Sequence, residues 1–591
     1  MLVALVTLAA LCCAPFGAHA VPVQKFLNGK LAWRNIGPYI GGRVIAVAGV
    51  PGEHNVFYMG SVDGGVWKST SYGARWHNIT DGKWKSASGS VGAIAIAPSN
   101  AKVIYVGTGE SDIRGDMVTG NGVFKSVDAG KTWKYMGLRH TRTTSAIVVD
   151  PHNSKIVYVA SMGHVFKPND DRGVFKSTDG GKTWRKVLYV NAKTGAIDLV
   201  IDPHNPKVLY ATMWQARRVP WKLTSGGPGS GLYKSTDGGA HWTNLTRNPG
   251  LPHGVLGRMG VSIAASHPNI VYTIIQAKHG GVFRSNDGGK TWKRVNRNWS
   301  LRQRAFYYMS IYVDPTNPDT LYVPNVDGVW VSRNGGKAFS LLHMPHGDNH
   351  TVWINPHNPK ILLVGNDGGA TVSSDGGKNW STEQNQPTGQ FYHVAIDHEF
   401  PFNVYGAQQD EGSFEGPSAM PGGAIPVSAW HSVALGESTF VAPDPGNRYV
   451  TYGADYYTLM QRYNRITGAR KSVSPSPIYL DGGDAARMKY RFGWTHPIFF
   501  SPNDPKKLFL ASQYVMVSDD GGRTWKVISP DLTRNDPATE GPTGGPIDLD
   551  QTAAEVFPDI SALSVSQVEK KVIWAGSQDG LVHVTVDGGE H

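Results

Sequence analysis

The sequence predicts an all-β protein: tandem seven-bladed β-propellers, the second truncated at the C-terminus. Three observations predict it. A Ser-x-Asp-x-Gly-x-x-Trp box recurs along the chain, as in STDGGKTW (Ser177–Trp184), STDGGAHW (Ser235–Trp242) and SNDGGKTW (Ser285–Trp292). Each box follows short apolar runs such as KVIYVG, KIVYVA and KVLYAT, the length of strands and not of helices. Glycine is abundant at 71 of 591 residues and charged residues make up only 17%, which suits strands joined by tight turns.

The length exceeds what one hydrophobic core supports, so two domains are expected. The formal charge is +11, but the basic residues are scattered, many at one repeated position (GKTW, GRTW). No Lys/Arg run resembles a nucleic-acid arm, so nucleic acid is not an expected partner. Residues 1–20, MLVALVTLAALCCAPFGAHA, are apolar and end in an A-x-A pattern, as a signal peptide does. The run is too short for a membrane span. Cys12 and Cys13 are the only cysteines, so after cleavage no disulfide is available. A secreted or periplasmic protein is expected.

Three further boxes match well: SVDAGKTW (Ser126–Trp133), SSDGGKNW (Ser373–Trp380) and SDDGGRTW (Ser518–Trp525). Two are degenerate, with Ser71 and Asn334 replacing the aspartate. The box aspartate accepts backbone N–H bonds across a hairpin, glycine takes the positive-φ position, and the tryptophan is expected to pack on the next blade. Boxes recur at roughly the spacing of a four-stranded blade, and their role is structural. Strand pairs give seven units before residue 385 and four after it, beginning at Phe391, Thr439, Pro497 and Ile560. The expected domains are therefore a first propeller at 21–385 and a partial second at 386–591. The final TVDGGEH stops inside a box, as a truncated propeller would.

Ligands of propellers gather around the axis on the face opposite the boxes. The long second-to-third strand loops of units two to four should carry Glu110, Asp112, Arg114, Asp116, His164, Trp214, Arg217, Arg218 and Trp221 to that mouth. Tryptophan, arginine and carboxylates together suit sugars, since aromatic faces stack on pyranose rings and charged groups bond hydroxyls. RQRAFYYMS adds Arg304, Tyr307 and Tyr308 to the same wall. In MPHGDNHTVW, His346, Asp348 and His350 alternate, so a strand places all three on one face. They are read as a polar lining of the channel; no metal and no cofactor is expected.

The boxes resemble those of the BNR/Asp-box propellers, which include sialidases, sortilin-type domains, photosystem II assembly factors and two-propeller xyloglucanases. Sialidases need an Arg-Ile-Pro-type element that is missing here. In the two-propeller xyloglucanases one catalytic aspartate comes from the first unit of each propeller. Asp63, in YMGSVDGGVWKS, resembles the first, and Asp410, in VYGAQQDEGS, resembles the second, although Glu411 follows it where the family has a Gly-Gly-type turn. The resemblance implies a secreted glycoside hydrolase-like protein acting on a β-glucan-type polysaccharide or oligosaccharide, with Asp63 and Asp410 as the acid/base pair. Asp327, Asp367 and Asp579 share the same turn position, so hairpin chemistry is the competing reading. The alternative function is a non-catalytic propeller that binds a glycan, a peptide or a partner protein.

Overall fold

The second strand of each early unit is apolar without alternation because both its faces are covered. FYMGS (Phe57–Ser61), IYVGT (Ile104–Thr108) and VYVAS (Val157–Ser161) are buried at every residue, as expected of strands enclosed between two layers. The outermost strands, such as His77–Asn78 and Lys134–Tyr135, are short and largely open to solvent. The computed structural model describes residues 33–84, 88–438, 440–457, 459–476 and 483–591. The segment read as a signal peptide, 1–20, lies outside the described residues. All of the sheets fall within Pro38–His591.

Among the described residues eleven antiparallel sheets, or blades, follow one another in chain order, and the only helices are single 3-10 turns. Seven blades run from Val44–Gly49 to Gly369–Ser373, and four more from Ala395–Ile396 to Val582–Thr585. The tandem propeller architecture expected from the repeats is present. The first seven blades close into a ring. Val44, Phe57, Met59 and Trp76 of the first blade pack with Ile361, Leu363, Ala370 and Val372 of the seventh. The last four form an arc, joined through Tyr405 with Val441, then Tyr452 with Ile498, then Phe509 with Ile560. The two end blades of the arc leave apolar side chains in solvent, among them Ile396 at 56% and Val582 at 70% exposure.

The boxes lock each blade to both neighbours. Asp179 accepts the Lys182 and Thr183 N–H groups at 2.9 and 3.0 Å, while the Ser177 hydroxyl accepts that of Gly181 at 2.8 Å. The degenerate copies keep the bond: Ser71 Oγ accepts Arg75 N–H at 3.0 Å, and Asn334 Oδ1 accepts Ala338 N–H at 2.9 Å. The box tryptophan reaches the preceding blade, not the next one as expected. Trp133 Nε1 donates to Ile79 O at 3.1 Å and Trp184 Nε1 to Met136 O at 2.6 Å. The forward link is made by a lysine and a tyrosine. Lys176 Nζ lies 5.1 Å from the centre of the Tyr158 ring, and both groups donate to Gly238 O of the next box, at 2.6 and 2.9 Å. Lys234 and Tyr210 repeat this on Gly288 O at 2.7 and 2.9 Å.

A strap from the arc, around residues 543–557, lies on the ring. Leu223 N–H donates to Thr543 Oγ1 at 2.8 Å, Ser225 N–H to Gly545 O at 2.9 Å, and Gln276 Nε2 to Asp548 Oδ2 at 2.7 Å. Arg218 forms an ion pair with Glu555, each side chain 1% exposed. Removing one partner of such a pair strands a buried charge. Glu555→Ala should therefore lower stability by about 3–5 kcal/mol, measured by chemical denaturation. A loss below about 1 kcal/mol, the level of an exposed pair, would show that the strap does not depend on this contact.

Candidate active site

Two equivalent turns carry the aspartates singled out from the sequence. Asp63 lies between Phe57–Ser61 and Gly65–Ser69 of the first blade, and Asp410 between Asn403–Gln408 and Gly412–Pro417 of the eighth. Both adopt left-handed backbone, with φ of 60° and 66°. So do Arg304, Asp348 and Tyr457 nearby, at φ of 48°, 52° and 59°. Non-glycine residues in this region store strain, and here they surround one cleft between ring and arc.

The cleft contains two adjoining cavities. One of about 420 Å³ is lined by Arg43, Arg304, Tyr307, Asp348, Asp367, Asp410, Glu437, Tyr456 and Trp494, with Gln551 and Thr552 of the strap. The other, of about 430 Å³, is lined by Asp63, Gly64, Phe391 and Tyr392. Arg114 and Asp116 belong to both walls. They form an ion pair at 2.7 Å, and the Tyr392 hydroxyl donates to Asp116 Oδ2 at 2.7 Å.

At the floor, the Arg43 guanidinium is buried and shared. Nε and Nη2 donate to Asp367 Oδ1 and Oδ2 at 2.7 and 2.9 Å, and Nη2 also donates to Asp410 Oδ2 at 2.6 Å. Two glycines deliver it. A Cβ on Gly41 would sit 1.9 Å from Gly368 O, and one on Gly42 2.4 Å from Thr388 O, so only glycine lets the chain pass there. His350 extends the network, with Nε2 2.6 Å from Asp367 Oδ1 and Nδ1 3.1 Å from Asp112 Oδ2. Arg258 closes it on Asp112 at 3.3 Å. Asp348, Asp367 and Asp410 each bring one oxygen within 4.8 Å of the others, and Arg43 bridges the last two.

The electrostatics divide these acids. Burial opposes the charge of Asp367, but Arg43 and then His350 hold its carboxyl well below the usual range. Burial, and then the charge of Asp367, push Asp410 up to about 7. The same causes push Asp348 up to about 6. Glu437, whose Oε2 accepts the Asp410 N–H at 2.8 Å, is pushed to about 9 by burial and then by Asp410. Partial burial against the wall, and to a lesser degree Asp116, raises Asp63. The cleft thus presents acids of different proton affinity side by side, the requirement for acid/base work.

The residues selected from the sequence separate into three groups. Arg114, Asp116, Arg304, Tyr307, Asp348 and Asp410 line the cavity around Asp410, and Asp63 lines the adjoining one. Glu110, Asp112, Tyr308 and His350 are buried beneath, where Glu110 holds Arg114 and the Tyr308 hydroxyl donates to Asp348. Others lie in neither cavity. Trp214 is 0% exposed and part of an apolar cluster, so it offers no ring face to a sugar. Arg218 is committed to Glu555, Trp221 packs on Phe557 at 5.4 Å, His164 packs on Phe166 at 5.4 Å, and Arg217 is exposed.

His346, Asp348 and His350 do not share a face. The strand begins at Asn349, and the left-handed Asp348 turns the chain just before it. His346 faces Glu411 at 3.6 Å, while His350 enters the channel. Asp367 shares its local sequence with the other turn aspartates, yet it is the centre of the network. Arg43, Glu437, Tyr392 and Trp494 join the site through contacts that no local motif marks; for Arg43 the one local signal is the Gly-Gly pair before it.

Comparison with known proteins agrees with this architecture. A sortilin family model (Sortilin-Vps10; sortilin, neurotensin receptor 3) matches residues 121–250 and 280–413. A xyloglucanase of Paenibacillus sp. is 28% identical over 274 residues, 40% of this chain and 25% of that protein. One of Hypocrea jecorina is 25% identical over 257 residues, 38% of this chain and 29% of that protein. The match thus spans about a quarter of the length of these curated relatives. The GH74 enzyme of Niastella koreensis superposes with a TM-score of 0.54 at 17% identity, covering 94% of this chain and 85% of that one. An ancestral GH74 enzyme does so with a TM-score of 0.58 at 17% identity, covering 94% and 76%. This chain is an Asp-box β-propeller protein, xyloglucanase-like and sortilin-like. In this Asp-box protein, as in those structures, the propeller fold is what the superposition establishes. Among the described residues no helix is long and apolar enough to cross a membrane.

Burial lowers the proton affinity of His350, but Asp367 and then Asp112 outweigh it and raise the ring to about 9. A raised folded value means that the contribution to stability is complete below the free imidazole value of about 6.5. It is lost as pH rises through about 9. Wild type should lose on the order of 3 kcal/mol more than His350→Gln across that window. Thermal melts at stepped pH measure this; parallel pH dependences would contradict it.

Proposed function

We propose that this chain is a glycan-processing protein of the glycoside hydrolase type. It acts on a β-glucan such as xyloglucan in the cleft between ring and arc, outside the cytoplasm, with residues 1–20 as its export signal. Asp410 is the general acid and Asp63 the general base. The observation that carries the reading is the contrast between two equivalent turns. Asp410 is half-buried beside Asp367 with its carboxyl raised to about 7, while Asp63 stands exposed across the Arg114–Asp116 wall. A buried, protonated carboxyl can protonate a departing glycosidic oxygen, and an exposed one can activate water. The xyloglucanase relatives supply the substrate class. A second reading, a non-catalytic glycan or protein binder, draws on the Arg43–Asp410 ion pair at 2.6 Å, which favours a charged Asp410.

Asparagine tolerates left-handed backbone, so Asp→Asn at either turn should fold. Asp63→Asn and Asp410→Asn should each cut turnover of xyloglucan by roughly 10²–10⁴-fold with binding retained. Asp327 occupies the same turn position in the sixth blade but lines neither cavity, so Asp327→Asn should leave turnover intact. Binding without turnover across a β-glucan panel would favour the second reading.

A further inference from the structure

Three carboxylates meet at the floor of the cleft, and their partners are unequal. Asp367 has both oxygens on Arg43 and a third contact to His350, so its charge is matched. Asp410 has one bond from Arg43, one from Gln409 Nε2 at 2.7 Å, and the near-neutral Glu437 on its amide. Asp348 reaches the same point from the ring side of the cleft. Its Oδ1 accepts the Tyr308 hydroxyl and Arg304 Nη1, the latter at 3.3 Å from a side chain 41% exposed. One oxygen of Asp348 lies within 4.8 Å of one on Asp410. Tyr307 covers the group from the side, with its hydroxyl 3.4 Å from Asp367 Oδ2. Of the anions facing Asp410, Asp348 is therefore the one least offset by a cation.

We propose that Asp348 is a positioning residue that acts with Asp367 to keep Asp410 in its acid form. The hydroxyl of Tyr308 and the long contact to Arg304 hold Asp348 in place. Its charge opposes ionisation of Asp410 across the cleft, because like charges at this separation disfavour each other. Asp348 touches no reacting atom in this role. The inference rests on the hydrolase reading only in what the proton is for.

The test follows the proton directly and does not depend on turnover. Infrared titration of the full chain, with the spectrum of Asp410→Asn subtracted, isolates the Asp410 carboxyl. In Asp348→Asn, which suits the left-handed backbone at φ 52°, the midpoint should fall by about one pH unit. Arg304→Gln removes the exposed counter-charge from Asp348 and should move the midpoint upward. The alkaline limb of the xyloglucan turnover profile should shift with the midpoint in each variant. An unchanged midpoint in both folded variants would overturn the inference. Midpoints that move as expected while Asp410→Asn keeps full turnover would support the inference and sink the hydrolase reading.

Discussion

The guanidinium of Arg43 connects parts of the chain that are far apart in sequence. It leaves the first blade, binds Asp367 of the seventh, 324 residues on, and binds Asp410 of the eighth, 367 residues on. Closing the ring and attaching the arc therefore meet at one buried cation. A charge so deeply buried has to be paired. Asp367 takes the larger share with two bonds, and Asp410 takes the remainder with one. Burial raises the acids around the cleft, and the shortage of cation leaves their mutual repulsion unmatched, so Asp410, Asp348 and Glu437 hold protons more tightly than free carboxyls. The cleft's chemistry follows from how the two parts of the fold are joined.

Most of the architecture was legible because it repeats. Each box fixes a hairpin through contacts within a few residues, and each second strand is apolar along its length, so blade number and order follow from counting. The direction of the links between blades was not legible. The tryptophan of a box could lean either way, and only three dimensions show Trp133, Trp184 and Trp525 bonded to a carbonyl of the blade before. The lysines of GVFKS and GLYKS read as part of a scattered basic surface. In fact Lys176 and Lys234 lie over tyrosine rings and bond the next box.

The site was legible where position in the repeat decided it, and hidden where distant contacts did. Asp63 and Asp410 stood out because each sits in the same turn of an opening blade. Asp367 has the same Asp-Gly context and reads as hairpin chemistry, because nothing local announces that Arg43 will reach it. From the sequence, Trp214 and Arg218 read as part of a loop at the mouth. The second strand of that blade instead runs on through Leu209–Val219 and pairs with Lys222–Ser225. This turns Trp214 into an apolar cluster and points Arg218 at the strap. The alternation of His346, Asp348 and His350 failed because one left-handed residue separates the histidines onto different partners.

The account depends on Arg43 joining ring to arc through Asp410, and a double-mutant cycle measures that contact directly. Stabilities of wild type, Arg43→Gln, Asp410→Asn and the double variant, from chemical denaturation, give the coupling energy of the pair. The account predicts a coupling of more than about 1 kcal/mol, the range found for contacting charged groups. Additivity within about 0.5 kcal/mol, as for independent sites, would show that the two side chains are neighbours without being partners, and would contradict it.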